Sequence, residues 1–471
     1  MAREPVHVVE LRCALGGVLG VCRQRVGWSQ AKLADRVHYH RSAISHLEAG
    51  RHPAPRDFWE RADTLLGAEG ALVAGHDDLA AAKRECERSV SSRHPEVDDL
   101  AGELGHDLVL SAPWTAAGTV ESAVVLKGGD GRVKRRVFIS LTGAALTAPA
   151  HQWLIHEPGP LVSGLSGRRV SIGLVDRFTA MIAELRRMDD VAGGGGVLSL
   201  AEHQFGWVAG LLGQASYDER TGRALHIVLA ELGQLCGWSA YDAGHHGLAQ
   251  RYWLAGLRAA HSADDRPFGA HILATMANQA ARQGQPAEAV TFIDTALAGT
   301  RGQATPALLA ELHFRQAYAY AAVCDTSGCT AAISKARTQV EQLKPDEDPP
   351  WLYWLDPAAI AVGAGNCFLL LGRPDQAAAL LDKGIAQFDE SFIRDRQIYL
   401  TRLADARARL GKQQDLDAAA GLGMESIDLA ENLDSNTGAG CLRDLYGQMK
   451  QHHKVPAVRD FLDRARGLVQ V

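Results

Sequence analysis

Residues 27–50 read GWSQAKLADRVHYHRSAISHLEAG, and their spacing is that of two short helices joined by a tight turn. Ser29 is a good N-cap for the first helix, because its hydroxyl can accept a hydrogen bond from an unpaired backbone N–H of the first turn. Leu33, Ala34 and Val37 then recur at helical spacing on one face. The pattern therefore predicts an amphipathic helix that begins at about residue 30.

A second helix is predicted from about Arg41 to Ala49. Ile44 and Leu47 are spaced to face inward, and Gly50 is placed to end the helix. The small side chain of Ala34 lets the two helices approach closely. Two helices in this arrangement form a helix-turn-helix, in which the second helix enters the major groove of DNA.

The polar residues around the second helix are the candidates for contact with DNA. They are Gln30, His40, Arg41, Ser42, Ser45 and His46. Arg41 can donate a bidentate pair of hydrogen bonds to guanine, and Ser42 or Ser45 can contact either kind of base edge. Gln30 is placed to hold a phosphate or to brace the second helix. The alternative is a small helical packing module that does not bind DNA.

This stretch resembles the Xre family of helix-turn-helix regulators, which includes the phage repressors. The resemblance covers roughly the first 75 residues. The residues that carry it are Ser29-Gln30, Leu33-Ala34, Ile44-Ser45 and Leu47-Glu48-Ala49-Gly50. Two positions depart from the family pattern, since His38 stands where the turn usually has Gly and His40 where Ser or Thr is usual.

Composition supports local rather than general contact with DNA. The chain has 471 residues, of which 46% are hydrophobic and 22% charged, with a net charge of −6. Residues 1–75 hold ten Lys and Arg against eight Asp and Glu, a balance of +2, which leaves −8 for the remainder. A small, mildly basic domain on an acidic body suits a module that touches DNA at one place.

Metal, cofactor and export signals are not expected. The eight cysteines include no C-x-x-C spacing, which is typical of reduced thiols in a cytoplasmic protein; a zinc or redox pair at Cys324 and Cys329 is the minor alternative. No signal peptide or membrane-spanning run is recognised. Arg135-Arg136 and the apolar residues after them resemble a twin-arginine signal, but their internal position favours a short docking helix. No Walker or H-E-x-x-H motif is present, so an enzyme is not expected.

Three segments are predicted. They are a helix-turn-helix domain at 1–80, a connector at 81–170 and a helical repeat domain at 171–471. The connector gives the weakest structural pattern. Its glycine-rich stretch 128–131, within 116–139, indicates either a small β-hairpin or an ordered loop. Gly193 to Gly196 predict a flexible break. The fold class is therefore all-α, with an N-terminal helix-turn-helix and a C-terminal solenoid.

Five marker positions recur at intervals of 40, 40, 48 and 39 residues: Gly244, Gly284, Cys324, Gly372 and Gly411. The residue seven before each marker is always small. Fixed small residues let paired helices pack closely, and the pattern resembles tetratricopeptide repeats with somewhat longer helices. About six units would form a right-handed solenoid with a concave face. A non-repeating helical bundle is the alternative.

The concave face should carry the residues six before each marker and their neighbours on the same helix face. The candidate ligand-binding residues are Trp238, Tyr241, Asn278, Phe314, Tyr318 and Asn366. Asn can bond both groups of a peptide unit, and aromatic rings supply flat apolar area. The alternative is that the aromatic residues are ordinary core.

An Xre-type head followed by such repeats resembles actinobacterial transcriptional regulators and the peptide-sensing regulators of Gram-positive bacteria. The resemblance implies an operator in double-stranded DNA, a homodimer formed through the repeats, and a peptide or small-molecule effector. It leaves residues 88–170 unexplained. The alternative is a repeat scaffold for protein interaction that binds no specific DNA.

Overall fold

The computed structural model describes residues 6–37, 39–48, 54–68, 70–77, 79, 108–126, 140–159, 167, 169–344 and 347–469. The chain divides into two units, Met1–Glu103 and Leu104–Val471, called the head and the body below. Helices account for nearly all the regular structure in these ranges, and no strand occurs there; one isolated bridge joins Arg169 and Ser216. The predicted all-α class is confirmed.

The head begins with four helices: α1 Val6–Arg25, α2 Gln30–Val37, α3 Arg41–Glu48 and α4 Arg56–Leu66. Ser29 caps α2 as predicted, because its Oγ accepts the Lys32 N–H at 3.2 Å. Leu33 and Ile44 are fully buried, so the inward faces of α2 and α3 are confirmed. Val18 of α1 is 40% exposed. His38 and Gly50 lie outside the described residues.

Helix α1 packs closely against the end of α3 because it carries a glycine at the crossing. A Cβ on Gly16 would lie 2.3 Å from the carbonyl oxygen of Leu47 and 2.7 Å from that of Glu48. Both are backbone atoms, so neither can move aside easily. The close approach fixes the end of α3 relative to α1.

The body begins with three helices from the predicted connector: α5 Leu108–Ser111, α6 Ala116–Leu126 and α7 Gly143–Ile155. The hairpin interpretation is wrong for Val120 to Leu126, which lie in α6. Thr115 explains the helix start, since its Oγ accepts the Gly118 N–H. The glycine-rich turn lies outside the described residues. Trp153 of α7 is fully buried, so the connector contributes to the core of the body.

Two long helices, α8 Ile172–Ala192 and α9 Gly194–Gln214, come next. The described residues then form six helix pairs. They are α10 Glu219–Asp242 with α11 His246–Ser262, α12 Arg266–Arg282 with α13 Pro286–Gly299, α14 Pro306–Ala322 with α15 Thr326–Val340, α16 Pro357–Leu370 with α17 Pro374–Ile385, α18 Ile393–Leu410 with α19 Gln413–Ala430, and α20 Asn436–Met449 with α21 Pro456–Val469. This run of helix pairs is consistent with the predicted solenoid.

The five marker positions share one backbone conformation. Each lies in the turn between the two helices of a pair with positive φ: Gly244 at 86°, Gly284 at 73°, Cys324 at 60°, Gly372 at 70° and Gly411 at 73°. Glycine adopts this region readily and other residues do so at a cost, which explains why four of the five are glycine. The small residues seven before the markers are all buried, as predicted.

The run of helix pairs closes on itself. The turn between α8 and α9 meets the loop before α20, where the Asp434 N–H donates to the Ala192 carbonyl at 2.9 Å and the Gly195 N–H donates to the Asp434 carbonyl at 3.1 Å. Asp242 adds to this contact, since its carboxylate accepts the Gly194 N–H at 2.9 Å and the Ser435 hydroxyl at 2.8 Å. We call these contacts the seam. The glycines predicted to be a flexible break are thus the start of α9 and part of a packed junction.

Candidate functional site

In the head, one carboxylate ties α3 to the two helices before it. Glu48, the last residue of α3, accepts two hydrogen bonds from Arg23 of α1, one of them at 3.0 Å, and one from the Gln30 amide at 2.8 Å. Arg23 also donates to the Trp28 carbonyl at 2.6 Å. Gln30 therefore braces the second helix, which is one of its two predicted roles. The role of Arg23 was not predicted. The only signal in the sequence was its partner, the charged residue Glu48, which lies directly beside the inward-facing Leu47.

The outer face of α3 carries the predicted DNA-contact residues. Arg41 and Ser45 are exposed, His46 is partly buried, and His40 is exposed just before the helix. The side chain of Ser42 lies outside the described residues. The opposite face is buried at Ile44 and Leu47. Polar groups thus point away from the core along the helix that would enter a groove.

In the body, a single cavity brings together all six predicted ligand-binding residues. Trp238, Tyr241, Asn278, Phe314, Tyr318 and Asn366 line it. It encloses about 1160 Å³, including the part open to solvent. A lining of aromatic rings with a few placed polar groups is typical of a site for a small ligand. The candidate residues of the concave face therefore gather around one cavity.

Asp405 is the exception among the residues six before the markers. It lies outside the cavity, is 3% exposed and accepts the Arg409 Nε–H at 3.0 Å. The pattern of marker positions therefore predicts the lining for the first four pairs and fails at the fifth.

Aromatic residues from an unpredicted loop complete the cavity. Trp351, Tyr353 and Trp354 lie between α15 and α16, in the longest of the marker intervals. Trp351 stacks near His271 at a ring distance of 4.6 Å, and Trp354 lies 6.4 Å from the Phe314 ring. The interval of 48 residues indicated an insertion in the sequence, but spacing alone could not show that the inserted loop packs against the cavity.

A buried charge cluster joins α8 to α18 at one side of the cavity. Arg394 pairs with Asp189, with Asp190 at 3.6 Å and with Asp395 at 3.1 Å. Tyr353 donates its hydroxyl to Asp190. Burial raises the pKa of the Asp190 carboxyl to about 7, against the lowering effect of Arg394.

The cavity lining carries two more cations, Arg282 and Arg315. Each donates to the Asn278 Oδ1 at 3.4 Å. Arg282 lies over the Tyr318 ring at 5.1 Å, and Arg315 over the Phe314 ring at 5.0 Å. Burial lowers the pKa of Arg315, although a guanidinium stays charged in proteins. Sequence analysis missed both, although Arg282 lies one helical turn after Asn278.

Cysteines and metal-binding groups add no further site in the described part of the chain. Cys22, Cys236, Cys329, Cys367 and Cys441 are buried free thiols, whereas Cys324 is exposed. No group of three His, Cys, Asp or Glu side chains within the described ranges is placed to hold a metal ion. None of the described helices combines the length and apolar character that crossing a membrane requires.

Comparison with known proteins identifies the head. A family model described as a helix-turn-helix domain matches residues 14–75. No curated protein matches the chain. The match spans α2 and α3, the two helices that the pattern of residues 27–50 predicts, together with most of α1 and all of α4. The head of this chain therefore carries a helix-turn-helix domain.

Proposed function

We propose that this protein is a sequence-specific, DNA-binding transcriptional regulator whose body dimerises and receives a peptide or small-molecule effector. The observation that carries the DNA-binding part is the exposure of Arg41 and Ser45 on α3, opposite a face buried at Ile44 and Leu47. The helix-turn-helix match over residues 14–75 supports the same reading. Gln30, His40, Ser42 and His46 complete the proposed contact surface.

A genome-wide DNA pull-down followed by gel shifts tests this function. Arg41→Ala should weaken binding to the recovered sequence by about 1–3 kcal/mol and relax the preference at one base pair. Arg61→Ala removes an exposed arginine from α4 and is the matched control. If no sequence is enriched, the alternative of a repeat scaffold without specific DNA binding is supported instead.

Homodimerisation follows from the small charge of the head. A balance of +2 over residues 1–75 permits few phosphate contacts, so one head should bind weakly. Two heads would read half-sites about 34 Å apart or a multiple of that distance. Light scattering on the protein–DNA complex should give the mass of two chains, and a single-chain mass would contradict the proposal.

The cavity is the proposed effector site. Asn278 and Asn366 are 4% and 9% exposed and present amide groups that can bond a ligand. Replacing both by Ala should abolish the response of DNA binding to the effector while leaving effector-free DNA binding near normal. A change of tenfold in DNA affinity needs only about 1.4 kcal/mol of coupling between the sites. A double variant that still responds at the same effector concentration would remove the cavity from this role.

A further inference from the structure

The arginines that line the cavity differ in whether they form ion pairs. Among its described lining residues, Arg186 pairs with Glu231 at 2.9 Å, and Arg394 pairs with three aspartates. Arg282 and Arg315 form no ion pair with any described residue; their polar contacts are to Asn278 alone. Positive charge without a counterion is therefore concentrated on one wall.

The contacts that these two arginines do make are weak. A separation of 3.4 Å lies beyond the usual 2.7–3.2 Å of a nitrogen–oxygen hydrogen bond. The Arg315 Nε is buried with no partner, and so is the Oδ1 of Asn366, another lining residue of the cavity. A buried polar group without a partner is costly, so a ligand that bonds these atoms would recover free energy on binding.

The carboxylates of the cavity would not repel an anion strongly at this wall, because each already has partners. Asp189, Asp190 and Asp395 pair with Arg394. Glu311 and Asp395 are the carboxylates whose charges act on Arg315, and Glu311 is bonded to His271. Asp242 accepts two hydrogen bonds within the seam. The local field beside Arg282 and Arg315 therefore favours a negative group.

Aromatic rings stand directly beside the two guanidinium groups. Arg315 lies over both the Phe314 ring, at 5.0 Å, and the Trp354 ring, at 5.5 Å. Tyr318 stands beneath Arg282 at 5.1 Å. A ligand with its charge at the arginines would place the rest of its body against these rings.

We propose that the cavity binds an amphipathic anion whose carboxylate or phosphate group lies between Arg282 and Arg315 and whose apolar part, preferably aromatic, packs on Phe314, Tyr318 and Trp354. Guanidinium groups match such anions with paired, directional hydrogen bonds. The Asn366 oxygen accepts an N–H or O–H from the same ligand. The inference deepens the effector part of the proposed function and rests on it for its regulatory meaning.

Two fluorescent probes that differ mainly in charge test the site without DNA. One is 8-anilino-1-naphthalenesulfonate, an aromatic anion. The other is N-phenyl-1-naphthylamine, which has the same rings and no sulfonate. Arg282→Gln with Arg315→Gln should lower the affinity for the anionic probe at least about tenfold, which corresponds to about 1.4 kcal/mol, and should change the affinity for the neutral probe by less than about twofold.

Matched variants keep the result interpretable. Arg337→Gln removes an exposed arginine of α15 outside the cavity and should leave both probes unaffected. Arg282→Lys with Arg315→Lys retains the charge and should restore part of the lost affinity. Unchanged binding of the anionic probe in the double Gln variant, or an equal loss of both probes, would overturn the proposal.

Competition separates the sources of the anion. Phenylacetate, phenyl phosphate, and a short peptide with either a free or an amidated C-terminus are each added against the bound anionic probe. Displacement by the peptide with a free C-terminus but not by its amidated form supports the site. Comparison with phenylacetate and phenyl phosphate identifies the acidic group that the site prefers. If none of these acids displaces the probe, the proposal is contradicted. DNA binding is measured apart from this assay, so failure of the anion site leaves the test of DNA binding untouched.

Discussion

Glu48 connects three helices of the head through one carboxylate. Its partners, Arg23 and Gln30, lie on α1 and α2, and the Arg23 and Glu48 side chains are only 10% and 13% exposed. Glu48→Gln removes the charge and leaves a largely buried guanidinium without its counterion, which costs about 1–3 kcal/mol. Amide hydrogen exchange in the full chain should therefore become faster in α1–α3.

The matched control for Glu48 is Glu60, which pairs with Arg56 on the surface and is 48% exposed. Exposed pairs contribute little, so Glu60→Gln should leave exchange in α1–α3 close to wild type. Equal protection of α1–α3 in both variants would show that the Glu48 contacts do not stabilise the head.

Asp190 makes the stability of the body depend on pH. Its folded pKa is about 7, raised from an ordinary 3.8 chiefly by burial, and the charged groups around it are Arg394, Asp189 and Asp395, with the Tyr353 hydroxyl bonded to it. Between these two pH values the folded state holds a proton that the unfolded state has lost. The free energy of unfolding should therefore fall as the pH rises through that window.

Asp190→Asn has no proton to lose at this position. We expect its thermal midpoint to change less than that of wild type between about pH 5 and about pH 8. Calorimetry at several pH values measures both slopes. If the two proteins show the same slope, Asp190 does not titrate in the predicted window.

At the scale of helices and turns, the positive φ of the marker residues can be tested by substitution. Gly372 has φ of 70° and a Cβ there would meet no atom within 4 Å. Gly372→Ala should still destabilise the body by about 1–2 kcal/mol, because alanine is strained in the left-handed conformation even where its Cβ meets no neighbour. Urea unfolding followed by circular dichroism measures the change.

Gly421 provides a control, because its substitution by Ala should change stability in the opposite direction. It is exposed within α19, its Cβ would also meet nothing, and its φ is not positive. Gly421→Ala should stabilise the body by about 0.5–1 kcal/mol, since alanine loses less conformational freedom in a helix. Both substitutions changing stability in the same direction would contradict the explanation of the markers.

The same markers explain which elements could be predicted from the sequence. Turns such as that at Gly284 and small buried positions such as Ala277 depend on neighbours within one helix pair, so periodicity reveals them. The aromatic loop around Trp351 could not be placed, because a longer interval shows an insertion but not where it packs. For helix α6 the sequence predicts a hairpin or a loop, because Val124 and Val125 favour β structure when their packing is unknown.

The whole body depends on contacts that no local pattern could predict. Asp434 and Gly195 are separated by most of the body, and yet their backbones bond at 3.1 Å. The candidate lining residues could be found from repeat spacing. The seam and the pairing of Arg394 with Asp189 instead join helices that are far apart in the sequence. Those contacts decide which arginines remain unpaired.

Gly193→Ala tests whether the seam holds the closed arrangement. A Cβ on Gly193 would lie 2.6 Å from the Asp434 carbonyl oxygen, a backbone atom held in the seam, and its φ of 84° adds conformational strain. Gly284→Ala carries similar strain at φ of 73° with open space around its Cβ, so it is the matched control. We expect Gly193→Ala to accelerate amide hydrogen exchange in α20 and to weaken binding of both naphthalene probes, because the cavity walls lose their link. Gly284→Ala should leave α20 protected. Equal exchange of α20 in the two variants would mean that the cavity keeps its shape without the seam.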